Sequence, residues 1–383
     1  MKVLFDHIVF QIQKIGGVSK ALSEMISHLP QDVEAVLGLK ESDNLYVREL
    51  FPEQVSRPRL TLDTFFGGRD FRGRTRLYET LSSHSLIPSM EAVNMKYCRS
   101  LMSEGDYDVF QPTHYNSHFL SYNKKPFVLV VHDIVPELFP SYYAEGFPDI
   151  VQRKKLIPLA DSIVAISENT KKDILERWDI SEEKVSVIHW GAPDVKDVQF
   201  RKLLPYDYVL FVGGRTKYKR FDFFVSQARH FLKAHDSIHV VCTGEAFSAS
   251  ERLMLSSFGL EQRFHAMTVS TEDLFSLYHG ALCFVFPSEY EGFGLPTLEA
   301  MACGCPVLLA NKSCFPEIGG DAAFYFDSDS SGDSNLAERL DYITGLSADE
   351  RQAVSENCRH RAGEFSWTET ARRYADVYRS LLM

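Results

Sequence analysis

The stretch Glu289-Tyr-Glu291-Gly-Phe-Gly-Leu-Pro-Thr-Leu-Glu299-Ala-Met-Ala-Cys-Gly304 follows an apolar run at 282–286 and precedes another at 307–310. Strand, glycine-rich turn, helix and second strand form the repeating unit of parallel α/β sheets. Pro296 suits the first position of the helix and Gly304 its end. Gly292 and Gly294 let the backbone approach a ligand closely just before it. The helix start presents unpaired N–H groups and a positive dipole end, which suits a phosphate. Glu299, one turn in, can accept hydrogen bonds from a pair of sugar hydroxyls. A plain glycine turn with an acid near a helix start fits the same residues, so this stretch alone does not separate structure from chemistry.

Working outward, the same alternation recurs along the chain. Residues 2–10 read as a buried strand, followed by a loop ending in Gly16-Gly17, a helix over about 18–29 and a strand at 34–39. Residues 41–89 show weak periodicity, many arginines and several glycines, and read as an insertion or mobile region. Short β-rich runs follow at 107–111, 127–131, 162–166 and 185–189, with helices expected at 149–159 and 168–178. A polar stretch at 193–205 reads as a linker. A second series then begins at 208–212 and continues at 238–243, 264–266, 282–286, 307–310 and 323–326. Two such series predict two α/β domains, at 1–195 and 196–365, with the final helix at 366–383 completing the first. The serine-rich stretch 327–334 reads as a surface loop.

Ligands of open parallel sheets bind beyond the carboxyl ends of the strands. His132-Asp133, Ser167-Glu168, Gly213-Gly214-Arg215, Gly244-Glu245 and the pair Glu289 and Glu291 all fall at such ends.

Composition excludes several classes. The chain has 383 residues, 45% hydrophobic and 24% charged, with a formal charge of -11. Such an acidic balance argues against a broad basic face for nucleic acid. Seven scattered cysteines without a CxxC pair read as free thiols of a reducing compartment. No apolar run approaches the roughly 20 residues that span a bilayer, and no secretory leader is visible. The expectation is a cytoplasmic protein, peripheral to the inner face of a membrane at most. Arg69, Arg72, Arg74 and Arg76 form a local basic cluster close after Phe65-Phe66, fit for a phosphorylated lipid or an anionic surface, or simply a solvated loop.

The spacing of Glu291 and Glu299 closely resembles the E-x7-E segment of retaining glycosyltransferases of family 4. That family carries the two-domain GT-B fold, two Rossmann-like domains facing each other across a cleft. The resemblance continues through Ser313-Cys-Phe-Pro316-Glu317-Ile and Gly320-Asp-Ala-Ala, and covers nearly the whole chain apart from about 41–98. It implies a role for each matching residue. Gly16 and Gly17 resemble the loop that closes on the donor diphosphate. His132 resembles the histidine near the transferred sugar. Gly213-Gly214-Arg215-Thr-Lys-Tyr-Lys219 resembles the segment whose arginine and lysine neutralise the departing diphosphate. Ser167 resembles the start of the helix after the histidine strand, residues 187–191 the strand into the linker, and Phe365-Ser-Trp367 the start of the last helix.

The catalytic candidates are thus His132, Arg215, Lys219 and Glu291. Donor contacts fall to Gly16, Gly17, Gly213, Gly214, Phe293, Gly294, Leu295, Thr297 and Glu299. The chemistry agrees: breaking a sugar–diphosphate bond leaves negative charge that fixed cations and a helix start can stabilise. Arg215 offers a rigid fork and Lys219 a point charge. His7, His114, His118, Tyr115 and Asn116 are kept as cleft-lining residues on the acceptor side.

The resemblance to bacterial mannosyltransferases implies GDP-mannose as donor, with a UDP-sugar as the alternative. The acceptor would be a hydroxyl of a glycan or lipid-linked glycan in surface polysaccharide assembly. A GT-B nucleotide-sugar epimerase, an NAD-dependent dehydrogenase and a nonenzymatic binding protein are the rivals. The dehydrogenase lacks its G-x-G-x-x-G fingerprint. No cofactor and no essential metal are expected. Asp327-Ser-Asp329 is a D-x-D string, but it lies in the loop-like stretch, and the cations and helix start already supply positive charge.

Overall fold

The computed structural model describes residues 1–57, 62–83, 89–215, 217–328 and 334–383. The first half forms β1 (Lys2–Phe5), β2 (Glu34–Leu37), β3 (Val109–Gln111), β4 (Val128–Val131), β5 (Ser162–Ala165) and β6 (Val185–Val187). Parallel pairing gives β2-β1-β3 and β4-β5-β6, joined by one parallel bridge between Phe110 and Phe127 into a single order β2-β1-β3-β4-β5-β6. The second half forms β7 (Asp207–Phe211), β8 (Ile238–Thr243), β9 (Phe264–Met267), β10 (Cys283–Phe286), β11 (Val307–Ala310) and β12 (Phe324–Phe326). Its order is β12-β11-β10-β7-β8-β9, again all parallel. The molecule is therefore α/β with two Rossmann-like domains.

Strands β4, β10 and β11 are buried at every position, which matches their unbroken apolar runs, because helices cover both faces of a parallel sheet. Strand order reverses between β1 and β3 in the first domain and between β7 and β10 in the second. These reversals are the crevices where such sheets take ligands.

Two sequence expectations change. The expected strand over 2–10 stops at Phe5, and Ile8–Ile12 is a short helix. Asp6 ends the strand by turning inward, where one carboxylate oxygen accepts from the Ile8 and Thr113 amides and from the Thr113 hydroxyl. The weakly periodic region 41–89 contains helices at Leu45–Leu50, Leu62–Phe65 and Arg74–Ser83, and Met90–Glu104 follows. Its apolar positions are sparse because these helices lie at the periphery. Local caps start two of them: Asn44 accepts from Val47 N–H and Ser89 from Ala92 N–H.

The chain crosses to the second domain after β6 and returns at the end. The final helix, Trp367–Ser380, buries Trp367, Thr370, Ala371, Tyr374, Ala375, Val377 and Tyr378, one stripe at helical spacing. That stripe packs in the first domain's core with Leu22, Met25 and Ile26. Tyr378 donates to Gln111 Oε1 at 2.5 Å, and Arg379 pairs with Asp32. At the crossing, Ala192 N–H donates to the Phe365 carbonyl, and a Cβ on Gly191 would lie 2.4 Å from the Trp367 nitrogen. Only glycine lets the outgoing and returning chains lie this close.

Candidate active site

Strand β10 ends at Phe286, and the chain turns through Glu289–Gly294 into the helix Leu295–Ala302. Gly294 caps this helix in the left-handed conformation at φ 81°, and Pro296 stands in its first turn. Glu291 Oε1 accepts from Lys219 Nζ at 2.6 Å, so the turn after β7 is tied to the turn after β10. Glu299 points from the helix toward the first domain and accepts from Lys20 Nζ at 2.6 Å. Lys20 lies on the helix Gly17–Ser27, so this ion pair spans the cleft. Burial alone would lower the Lys20 ammonium, but the Glu299 carboxylate outweighs it and holds the group above its usual range. Tyr278 Oη stands 3.5 Å from the other Glu299 oxygen.

The two domains touch tightly at Gly292. A Cβ there would lie 1.7 Å from the His132 carbonyl oxygen and 3.1 Å from Asp133 Cβ. The Gly292 carbonyl in turn accepts from Ser167 Oγ at 2.7 Å. His132 and Asp133, at the end of β4, thus abut the loop that carries Glu291. The His132 ring packs against Trp190 at 5.5 Å, and its backbone N–H donates to Tyr115 Oη. Burial, with His114 and Arg153 adding repulsion, pushes the His132 imidazole down to about 3, so it is neutral at pH 7. Burial raises the Asp133 carboxyl, with the Arg153 charge opposing it. Arg153 is itself buried, bidentate to Glu137 at 2.8 and 2.6 Å and stacked over Tyr115. It forms a rigid backing behind His132 and Asp133.

The other expected residues separate. Arg215 does not join Lys219. Its Nε donates to Glu251 at 2.8 Å and Nη2 to the Glu245 and Ala246 carbonyls, with the guanidinium over the Phe247 ring at 5.0 Å. Burial pushes the Glu251 carboxyl up, but the Arg215 pair and the Ser248 donors outweigh it and hold it below the usual range. Gly213 and Gly214 leave open space after β7. Gly16 caps the helix Gly17–Ser27, and a Cβ on Gly17 would lie 3.8 Å from Leu295, so the first-domain glycine loop faces the helix start of the second. Phe293 turns inward between His189, Trp190 and Phe365, which leaves only its backbone to a ligand. The Thr297 hydroxyl is buried without a partner among the described residues.

Sequence reasoning missed Lys20, Glu251 and a second clasp between the domains. Glu317 Oε1 and Oε2 accept from the Glu168 and Asn169 amides at 2.8 and 3.3 Å, and His189 Nε2 lies 2.5 Å from Oε1. A carboxylate at the start of the helix Glu168–Arg177 complements its dipole. The signal for Lys20 was its place one turn into the glycine-started helix; nothing local marked Glu251.

Among the described residues, no group of three histidine, cysteine or acidic side chains is disposed to hold a metal ion. Asp327 is exposed and accepts from Asn311, and Asp329 lies outside the described residues. A shallow groove of about 330 Å³ runs between β6 and the last helix, but it lies away from this convergence and its Arg372 is already paired with Glu369 and Asp376.

Two family models now match in tandem: Glycosyltransferase Family 4 over residues 15–194 and Glycosyl transferases group 1 over residues 195–361. The chain belongs to glycosyltransferase family 4. It is similar to the O-antigen chain mannosyltransferase RfbU of Salmonella typhimurium, at 26% identity over 52% of this chain and 56% of that protein. It is also similar to the serotype-specific mannosyltransferase WbdA of Escherichia coli, at 28% identity over 67% of this chain and 33% of that protein. These matches span between a third and just over half of the relatives' own lengths. Among solved structures, Anabaena HepE, crystallised with UDP and glucose, superposes with a TM-score of 0.71 at 16% identity over 99% of this chain and all of that one. Sucrose-phosphate synthase of Thermosynechococcus elongatus gives 0.70 at 18% identity over 100% and 99%. At such identities the likeness fixes the fold, GT-B. The family models meet between residues 194 and 195, inside the polar stretch before β7.

Proposed function

We propose that this chain is a retaining glycosyltransferase that moves mannose from GDP-mannose to a hydroxyl of a glycan or lipid-linked glycan during surface polysaccharide assembly. One observation carries the reading: two lysine–glutamate pairs, Lys219–Glu291 and Lys20–Glu299, flank one glycine-started helix at the meeting of the domains. A nucleoside diphosphate would bring two negative charges to that helix start and two ribose hydroxyls to Glu299. Each ammonium would then turn from its carboxylate toward the diphosphate. The leaving group gains charge as the sugar bond breaks, and cations fixed in a low-dielectric cleft stabilise that change. Arg215 would reach the diphosphate by giving up the Glu245 and Ala246 carbonyls.

Among the described residues, no carboxylate is marked out as a separate nucleophile. We therefore favour a same-face displacement in which the departing diphosphate takes the acceptor proton. The mannosyltransferase names of the relatives support the sugar. The cation pairs support catalysis without an essential metal, and turnover that survives exhaustive chelation would agree.

The cluster of Arg69, Arg72, Arg74 and Arg76 supports a peripheral contact with the anionic face of a membrane, where a lipid-linked acceptor would sit. Phe71, next to Arg72, and Leu77, next to Arg76, are each 44% exposed. No helix among the described residues is long and apolar enough to cross a membrane.

The deciding experiment is proton NMR of the first product formed from GDP-mannose, with UDP-sugars run in parallel. An α-linked mannoside is expected. An inverted product, or turnover with UDP-sugars alone, would overturn the assignment.

A further inference from the structure

Lys219 and Glu291 stand on two turns of the second domain, after β7 and β10. Neither turn is held in relaxed surroundings. Lys217 and Arg220, flanking Lys219, are left-handed at φ 57° and 53°. Ser313 is left-handed at φ 55°, and its hydroxyl donates to the Glu291 carbonyl at 2.6 Å and accepts from the Glu291 N–H at 3.2 Å. Among the described residues these are the three non-glycine positions of positive φ, and all three adjoin this one ion pair. Such backbone persists only where surrounding groups over-determine it, and it gathers at functional sites.

The surrounding groups come from the other domain. A tyrosine precedes each member of the pair, and both tyrosines reach the Phe139 ring of the first domain, Tyr218 at 6.4 Å and Tyr290 at 6.3 Å. The two turns are tied to each other where the Glu289 N–H donates to the Tyr218 carbonyl at 2.8 Å. Tyr290 is the more deeply seated, at 7% exposure. Its hydroxyl donates to Asp173 Oδ2 at 2.5 Å. Asn169 Nδ2 donates to that same oxygen at 2.9 Å and to the Tyr290 hydroxyl at 3.2 Å. Asn169 and Asp173 stand one turn apart on the helix Glu168–Arg177. Burial raises the Asp173 carboxyl, and the Tyr290 hydrogen bond opposes it, as a donor to a carboxylate does.

We propose that Tyr290 is a positioning residue: seated among Phe139, Asn169 and Asp173, it lets the first domain hold Lys219 and Glu291 in the geometry that the departing diphosphate and the transferred sugar require. The proposal rests on the glycosyltransferase reading above and adds how contact between the domains reaches the reacting pair. The Tyr290 hydroxyl is occupied by Asp173 and Asn169, so it acts through the turn and not on the substrate. Its loss slows bond breaking and spares donor binding, because Glu299, held by Lys20, is anchored elsewhere.

The test is Tyr290→Phe in the full chain, which keeps the ring and removes the hydroxyl. Nucleotide release without acceptor, from saturating GDP-mannose and in parallel from UDP-glucose, should fall roughly tenfold or more. The Kd of the nucleotide released, read by calorimetry with GDP or UDP, should shift by less than about threefold. Asp173→Ala should match that loss, and the double variant should be no slower than the slower single one. Asp173→Asn, which keeps an acceptor, should recover most of the rate. Losses that multiply in the double variant, or a nucleotide affinity that weakens as much as the rate, would overturn the proposal. Hydrogen exchange gives a readout without turnover. The Arg220 amide, bonded to the Lys217 carbonyl, and the Glu289 amide should exchange about threefold faster or more in Tyr290→Phe, with β7 and β10 unchanged. Unchanged exchange at both amides would overturn it as well. A wild-type chain that releases nucleotide from neither sugar would sink the transferase reading, and exchange would then decide the role of Tyr290 on its own.

Discussion

The two reversal points of this molecule solve opposite problems. Beyond β7 and β10, three cations of the site are paired: Lys219 with Glu291, Arg215 with Glu251 and, reaching across from the first domain, Lys20 with Glu299. In the first domain, beyond β1 and β3, several buried side-chain atoms have no partner among the described residues, and burial keeps His7 and His132 neutral at pH 7. A pair of opposite charges can wait in a cleft and exchange partners when a diphosphate arrives. Neutral imidazoles hold no charge to exchange and can only offer or accept hydrogen bonds.

The sharpest way to break this comparison is to remove a cation from the paired side. Lys219→Ala should lower turnover about 10²–10³-fold, the usual cost of losing one preorganised donor, with melting temperature little changed. Arg215→Ala should approach that loss only if the guanidinium leaves Glu251 during the reaction. Steady-state rates at saturating donor measure both. A near wild-type rate for Lys219→Ala would remove the leaving-group role.

The next test concerns closure. Gly292→Ala drives a methyl group into the His132 carbonyl, a backbone atom that cannot step aside. Overpacking costs about 1–3 kcal/mol, and here it falls on the domain contact. Turnover per donor bound should drop roughly tenfold or more, since about 1.4 kcal/mol is a factor of ten. Small-angle scattering should show a more open pair of domains. An unchanged scattering profile with full activity would mean that the His132–Gly292 contact is dispensable.

The two glutamates should then separate. Glu299→Gln is expected to weaken donor affinity about tenfold and spare the saturated rate, whereas Glu291→Gln should do the reverse. Identical profiles would erase the distinction between a ribose contact and a contact to the transferred sugar.

How much of this was legible depended on which physics wrote the sequence. The helix Leu295–Ala302 was readable because its glycine cap and the proline in its first turn are local signals. Buried parallel strands were readable for the same local reason, as unbroken apolar runs, and β8 and β11 fall at the expected residues. The early end of β1 was not, because Asp6 is held by Thr113, more than a hundred residues away. Lys20 and Glu299 meet across 279 residues of chain, and no local pattern announces such a pair. The histidines of the first domain are scattered singly, and what the fold adds is their spacing, with the His7 and His118 rings 5.8 Å apart.

The smallest expected effect tests the neutral side through stability rather than rate. His132 is held down to about 3, against an ordinary value near 6.5. Below pH 6.5 the unfolded chain binds a proton at this ring, while the folded chain stays uncharged until pH falls to about 3. Its contribution is therefore fully present above pH 6.5 and drains away as the pH falls, by about 1.4 kcal/mol per pH unit. Burial raises Asp133, which works in the opposite direction, and His7 works in the same one. Both groups persist in a His132→Phe variant, so the difference between variant and wild type isolates the one ring. Between pH 7 and pH 5 that difference in unfolding free energy should move about 2 kcal/mol in the variant's favour, read from urea titrations at each pH. If the two chains lost stability in parallel, His132 would be no more buried than an ordinary surface histidine. The tight seat between Tyr115, Trp190 and the Gly292 loop would then have to open in solution.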